Sequence, residues 1–243
     1  MIQYFTDNKG INYPTIGQAT ILLLMYADNV VLVSRTEEDT NKLMKVLEAF
    51  CELSGLRVNM GKTKAMLSKT RGKREKIHPQ ITYQGKPIEA VNSFKYLGLE
   101  IPSDHKWYQC ATKRRENGKR AYYAFENMCR QAGIQSWNLK KYLFDTLVTP
   151  VILYGVEVWG GSLSKDRWND IKKIQKLFLT NFLAIQRTTP YPTLLLEIGG
   201  MPLAVLGMEQ LLRCIKKINK MTEDRLPAIA WKTSCKPPKN QEK

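Results

Sequence analysis

One stretch limits what this chain can become: Ile21-Leu22-Leu23-Leu24-Met25-Tyr26, a polar step at Ala27-Asp28-Asn29, then Val30-Val31-Leu32-Val33-Ser34. Large apolar and β-branched residues on either side of a short polar break predict two strands folded back on each other. Aspartate and asparagine suit the tip, because their short side chains bond nearby backbone in tight turns. A carboxylate on such a tip is held by strands that move little, which suits a metal ligand. A buried hairpin with an Asp-Asn turn also occurs in many sheet proteins, so the residues downstream have to decide between the two.

Those residues begin with a helix. Thr36 is placed as an N-cap with Asp39 three residues on, and Glu37, Glu38 and Asp39 suit the positive end of a helix. Leu43, Val46, Leu47, Phe50 and Leu53 recur on one face, and Gly55 is placed to end the helix, which should cover one face of the sheet holding the hairpin. Ile81–Gln84 and Ile88–Val91 flank Gly85-Lys86-Pro87 as another hairpin.

Here the order of the blocks carries a resemblance. Tyr26-Ala27-Asp28-Asn29 resembles the Tyr-Ala-Asp-Asp motif of reverse transcriptases in the form found in non-LTR (LINE-type) retrotransposons, with Asn29 in place of the second aspartate. Gly55-Leu56-Arg57-Val58-Asn59 with Lys62, Phe94-Lys95-Tyr96-Leu97-Gly98, and Pro150-Val151-Ile152-Leu153-Tyr154-Gly155-Val156-Glu157-Val158-Trp159 are similar to later blocks of the same family, in the same order. The resemblance implies that Gly55-Leu56-Arg57-Val58-Asn59 is a strand turning at Lys62-Thr63 into a second short strand, and that Phe94 to Ile101 forms a tight hairpin allowed by Gly98. The likeness runs from about Ile21 to about Ile218. It implies an α+β fold: a partial polymerase palm of antiparallel β-hairpins with a covering helix over 1–101, then an all-helical thumb and C-terminal region over 102–231. The remaining 232–243 is rich in Lys and Pro and reads as a disordered basic tail.

The same resemblance implies roles. Asp28 and Asn29 fall on the catalytic positions, with Asp28 as ligand to Mg²⁺, and Lys62 matches a lysine proposed to protonate the leaving pyrophosphate. Lys62 is equally consistent with an exposed turn lysine. Phe94, Tyr96, Leu97 and Gly98 match a hairpin that presses on the end of the primer strand. Two-metal phosphoryl transfer needs several hard anionic oxygens, and Asn29 offers an amide oxygen without charge. In the family another carboxylate comes from a strand well before the hairpin. Met1–Thr20 offers only Asp7, in a turn-rich lead-in, so the metal site reads as incomplete and the chain as inactive alone.

Past Pro102 the pattern is helical. Lys106 to Ala132 carries Lys113, Arg114, Arg115, Lys119 and Arg120, candidates for phosphate contact, interleaved with Tyr122, Tyr123 and Phe125, which read as core. Asn138 is placed to cap a helix through Leu139, Leu143 and Leu147 that Pro150 interrupts. Ser164 opens another with Trp168, Ile171, Ile174, Phe178, Phe182 and Ile185 on its apolar side. Further helices are predicted over Pro192–Ile198 and Pro202–Met221.

Charge speaks to partners. With 38 Lys and Arg against 22 Asp and Glu, the net charge is +16, which attracts polyanions and releases their counterions. Lys62, Lys64, Lys69, Arg71, Lys73, Arg74 and Lys76 form a basic run that reads as a phosphate-tracking segment, an import signal or a solvated loop. RNA and RNA/DNA hybrid are the implied partners, and an uncovered edge of the first hairpin offers a route to self-association. The 5 cysteines lack any Cys-x-x-Cys pair, and with His78 and His105 they suggest neither a disulfide framework nor a zinc site. A reducing, nuclear or cytoplasmic setting fits. The start lacks the order of a signal peptide, and the Ile21–Val33 run is too short to span a bilayer, so a soluble chain is expected. The two functional readings are a reverse transcriptase fragment and a non-catalytic RNA- or DNA-binding module derived from one.

Overall fold

The computed structural model describes Phe5, 10–68 and 79–235. The architecture is α+β, with short antiparallel strand pairs first and helices after. The chain divides into two compact units, Met1–Phe94 with Lys217–Lys243, and Lys95–Lys216.

In the first unit every strand pair is a tight hairpin. Strand β1 (Thr15–Ile16) pairs with β2 (Ala19–Thr20), a hairpin the lead-in pattern did not announce. At its turn Gly17 has φ +59, and a Cβ there would lie 2.9 Å from Thr233 Oγ1. Glycine is therefore required twice over, by conformation and by the close approach of the last helix. Strand β3 (Leu23–Tyr26) pairs with β4 (Asn29–Leu32), in the register Leu23↔Leu32 to Tyr26↔Asn29. The turn is the two residues Ala27 and Asp28, with Ala27 at φ 53, and Asn29 already belongs to the return strand.

Helix α1 (Glu37–Ser54) forms as its ends dictate. The Asp39 amide donates to Thr36 Oγ1 at 3.1 Å, while that hydroxyl donates to Asp39 Oδ2 at 2.7 Å. Gly55 adopts φ 66 and donates its N–H to Cys51 O. Leu43, Met44, Leu47 and Cys51 are buried against Phe5, Ile81, Tyr83 and Ile88, and Leu23 and Leu32 at the hairpin's base pack onto this cluster. Leu53, expected on the apolar face, is 76% exposed at the helix's last turn.

Three expectations change in this unit. The segment 56–59 has no ladder partner among the described residues, so it forms no strand, and Ala65 makes only an isolated parallel bridge to Ala90. The next hairpin is β5 (Thr82–Tyr83) with β6 (Lys86–Pro87), turning at Gln84-Gly85 rather than at Gly85-Lys86-Pro87. Both turn residues are left-handed, φ 48 and 71, the geometry whose twist matches a two-residue hairpin. Helix α9 (Leu226–Cys235) extends into the stretch read as tail. Asp7, His78, the basic run 69–76 and the tail beyond 235 lie outside the described residues.

Strand β7 (Ser93–Tyr96) pairs with β8 (Leu99–Pro102), leading into the second unit. There the long helix α2 (Tyr108–Gln131) packs beside α4 (Thr149–Leu153) and α6 (Lys165–Phe182). The contact is close at Gly118, where a Cβ would stand 2.4 Å from Ile152 Cγ1. Tyr122, Phe125, Phe144, Ile152, Trp159 and Phe178 are among its large buried side chains, and the Phe144 and Phe178 rings stack at 4.1 Å. Tyr122 and Phe125 are core as expected, but Tyr123 is 54% exposed.

Helix α3 (Trp137–Leu143) is capped by Ser136, whose Oγ accepts from the Leu139 amide at 3.5 Å, and not by Asn138. Pro150 does not interrupt the run. A π-turn over Phe144–Val148 absorbs the missing proline N–H by shifting the hydrogen bonds by one residue, and α4 continues directly. Helix α5 (Val156–Trp159) follows Gly155, and α7 (Tyr191–Glu197) and α8 (Leu203–Asn219) close the unit. Ile185 falls beyond the end of α6 and is exposed. Among the described residues no single helix is long and apolar enough to cross a bilayer, and the bent apolar pair Trp137–Leu153 and Val156–Ser162 builds this core.

Candidate nucleic-acid interface

The β3–β4 tip presents Tyr26, Ala27, Asp28 and Asn29 to solvent. Asp28 Oδ1 accepts a hydrogen bond from Asn29 Nδ2 at 3.2 Å. The direction is chemically forced, because a carboxylate accepts only and the amide nitrogen is the donor. Asn29 therefore turns its donor end, not its oxygen, toward the one carboxylate at the tip. Among the described residues no group of three or more His, Cys, Asp and Glu side chains is placed to hold a metal ion. A pair of divalent ions needs several anionic oxygens, so this donor set does not fit such a pair.

Lys62 sits in an exposed turn whose shape comes from Asn59. The Lys62 amide donates to Asn59 O at 3.1 Å and to Asn59 Oδ1 at 3.2 Å, and Thr63 N reaches the same carbonyl at 3.0 Å. No hydrogen bond or ion pair joins Lys62 to Asp28 among the described residues. Lys64 is paired with Glu89 at 2.6 Å.

In the β7–β8 hairpin, Phe94, Tyr96 and Gly98 are half-buried, and Leu97 is exposed at the turn. The turn residues Leu97 and Gly98 have φ 46 and 82, both left-handed.

On α2, Lys113, Lys119 and Arg120 are exposed and Arg115 is half-exposed. Arg114 departs from the expectation. It is 7% exposed, and its Nη2 donates to Gly98 O at 2.5 Å, so its charge faces the interior rather than a phosphate. Residue type and net charge alone do not separate it from its neighbours; only helical position does, since 114 lies on the stripe with 111, 118, 122 and 125 that faces the core. The residue that reasoning missed is Tyr123, exposed with Lys119 Nζ 5.9 Å from its ring centroid. The same periodicity places it with Arg120 and Arg130 on the outer face. Lys113 meets Glu116 only at 3.8 Å, with both half-exposed, so the pair leaves most of that charge to solvent and partners.

Residues 5–101 match the family of reverse transcriptases (RNA-dependent DNA polymerases). Over 141 residues the chain is 27% identical to an uncharacterised transposon-derived protein of Caenorhabditis elegans, covering 56% of this chain and 48% of that protein. Over 188 residues it is 26% identical to a 115 kDa protein of the type-1 retrotransposable element R1DM of Drosophila melanogaster, covering 74% of this chain and 18% of that protein. The chain thus spans about half the length of one relative and less than a fifth of the other. No solved structure matches it.

Proposed function

We propose, from the match of residues 5–101 to the reverse transcriptase family and the likeness to transposon-derived and R1-element proteins, that the chain is part of a non-LTR retrotransposon reverse transcriptase and holds RNA and RNA/DNA hybrid without itself transferring nucleotides. The observation that carries the binding role is the set of cations on one helix, the exposed Lys113, Lys119 and Arg120 with the half-exposed Arg115, in a chain of net charge +16. Cations spaced along a helix meet successive phosphates, and each contact releases condensed counterions. Tyr123 adds a ring beside Lys119 on which an unpaired base can stack. Such contacts read charge and shape rather than sequence, so binding should be weak and tolerant of sequence.

The observation that argues against transfer by this chain alone is the Asp28–Asn29 pair. Reverse transcriptases work with divalent metal ions, which neutralise charge on the transferring phosphoryl group. Asp28 supplies one carboxylate, and Asn29 donates to it.

Titration of a labelled RNA/DNA hybrid, with primer extension on poly(A)–oligo(dT) in parallel, tests both parts. Saturable, salt-sensitive binding is expected, with no extension by wild type or by Asn29→Asp. Absence of binding at low salt would sink the binding role. Extension by Asn29→Asp that disappears in Asp28→Ala would sink the non-catalytic reading.

A further inference from the structure

The helical unit Lys95–Lys216 holds a cavity that the nucleic-acid role does not use. Its volume is about 160 Å³, and Phe144, Phe178, Leu179, Ile198 and Leu206 give it apolar walls. An apolar cavity of about 150 Å³ accepts a benzene ring, so this one has room for a single six-membered ring. One wall is polar. Gln175 is buried there, its Oε1 accepts from Leu203 N and the Tyr191 hydroxyl, and its Nε2 donates to Met201 O at 2.9 Å. An amide nitrogen carries two hydrogens, and the second has no acceptor among the described residues. A ring that carries a hydroxyl supplies one.

Met201 belongs both to the cavity wall and to an exposed apolar face. Along α8, Val205, Met208 and Leu212 are exposed at the i, i+3, i+7 spacing of one helical stripe, and Leu196, two residues before the cavity residue Ile198, is 82% exposed. Exposed apolar residues gathered beside a pocket mark a protein contact, and that spacing suits a second helix laid alongside. The side chains at this face do not select a charge by themselves, because Glu209 pairs with Arg213 at 2.6 Å and Asp145 with Lys141 at 3.3 Å. The selecting charge is that of the unit, with 18 Lys and Arg against 10 Asp and Glu. It repels a second copy of the chain and the basic segments 69–76 and 236–243, and it draws an acidic partner.

We propose that this face docks an acidic amphipathic helix of another protein, with one tyrosine of that helix seated in the cavity and its apolar residues on Val205, Met208 and Leu212. The role concerns a protein partner and goes beyond the nucleic-acid reading above.

The probe is a fluorescein-labelled synthetic helix about four turns long, with glutamates on one face, leucines on the other and one central tyrosine, titrated with the full chain. Saturable binding is expected. Alanine in place of the peptide's tyrosine should weaken it about tenfold, the loss typical of an anchor in a pocket, and phenylalanine should weaken it several-fold. Leu206→Phe fills the cavity from its own wall, so it should bind the tyrosine peptide about tenfold more weakly and the alanine peptide as wild type does. Met208→Gln changes only the exposed face and should weaken every peptide, which keeps the docking testable if Leu206→Phe does not fold. A wild type that binds no peptide, or binds the tyrosine and alanine peptides equally, overturns the proposal. So does wild-type affinity in Met208→Gln or in a folded Leu206→Phe. A phenylalanine peptide as tight as the tyrosine peptide overturns tyrosine as the anchor. Loss of RNA/DNA hybrid binding in a folded Leu206→Phe would give the cavity to a nucleobase instead, and a dimer in sedimentation that Met208→Gln dissolves would give the face to a second copy. Either result overturns the acidic partner.

Discussion

Gly118→Val puts the packing of the helical unit to a direct test. The site is the middle of α2, where a Cβ would lie 2.4 Å from Ile152 Cγ1 and 3.0 Å from Ile174 Cδ1. Carbon pairs prefer about 3.5–4.0 Å, so Ile152 on α4 has to retreat by roughly 1 Å before the two valine methyls are placed. Overpacking of this kind costs about 1–3 kcal/mol. Replacing glycine within a helix returns something, up to about 1 kcal/mol for alanine and less for a β-branched residue. The net expectation is a loss of about 0.5–2.5 kcal/mol for valine, and less for alanine. With a urea slope of about 1–3 kcal/mol/M, the midpoint falls by roughly 1 M. Tryptophan fluorescence reads mainly the right unit, because four of the five tryptophans, Trp107, Trp137, Trp159 and Trp168, lie in Lys95–Lys216, and Trp231→Phe removes the fifth. Gly133→Ala is the control. Gly133 has φ +61 with nothing within 4 Å of a Cβ, so its loss comes from left-handed backbone alone, about 1–2 kcal/mol. A Gly118→Val midpoint equal to or above wild type would show that α2 does not pack on α4 and α6 as described.

Further outcomes follow from buried polar groups and from the first hairpin. Burial pushes Tyr83 and Tyr191 up to about 12, and raises Tyr122 as well. A folded pKa above the unfolded value near 10 means that stability is fully present below about pH 10 and falls as the pH rises from there toward 12. Urea midpoints that stay flat to pH 11.5 would contradict this. Gln175 is buried, accepts from the Tyr191 hydroxyl and from Leu203 N at 3.1 Å, and donates to Met201 O at 2.9 Å. Gln175→Leu strands these groups and should cost about 1–3 kcal/mol by the same denaturation, and an unchanged midpoint would refute the network. Leu24, Met25 and Tyr26 are exposed on a two-stranded hairpin, so sedimentation should show association that rises with concentration and weakens in Met25→Lys. A wild type that stays monomeric across the range contradicts it.

The legible parts were those decided by neighbours in sequence. Thr36, Asp39 and Gly55 fix the ends of α1 through bonds spanning three or four residues, so the pattern and the outcome agree. Tyr26-Ala27-Asp28-Asn29 likewise needs only its own turn chemistry. What the pattern missed was decided at a distance. The Gly17 turn depends on a helix more than two hundred residues away, at Ile229 and Thr233. Arg114 looks like every other cation until the turn carbonyl at Gly98 claims it. Pro150 reads as a break because proline lacks an N–H, but the π-turn before it removes the need for that donor. Tyr123 reads as core by composition, whereas its place on the outer face of α2 leaves it in solvent. The apolar pattern located the β3–β4 hairpin and the resemblance the 94–98 block, while the assignment of side chains within them needed the structure.

The central claim is that the outer face of α2 holds nucleic acid through its phosphates. The most direct measurement is the salt dependence of binding to an RNA/DNA hybrid, for wild type and for the combined Lys113→Gln, Arg115→Gln, Lys119→Gln, Arg120→Gln variant. At about 0.9 counterions released per duplex phosphate contact, losing these side chains should lower the slope of log K against log salt by up to about 3–4, and affinity with it. Arg114→Gln, by contrast, should leave the slope unchanged, because that guanidinium faces the protein. A variant that keeps the wild-type slope would contradict the account, because the phosphates would then be held elsewhere.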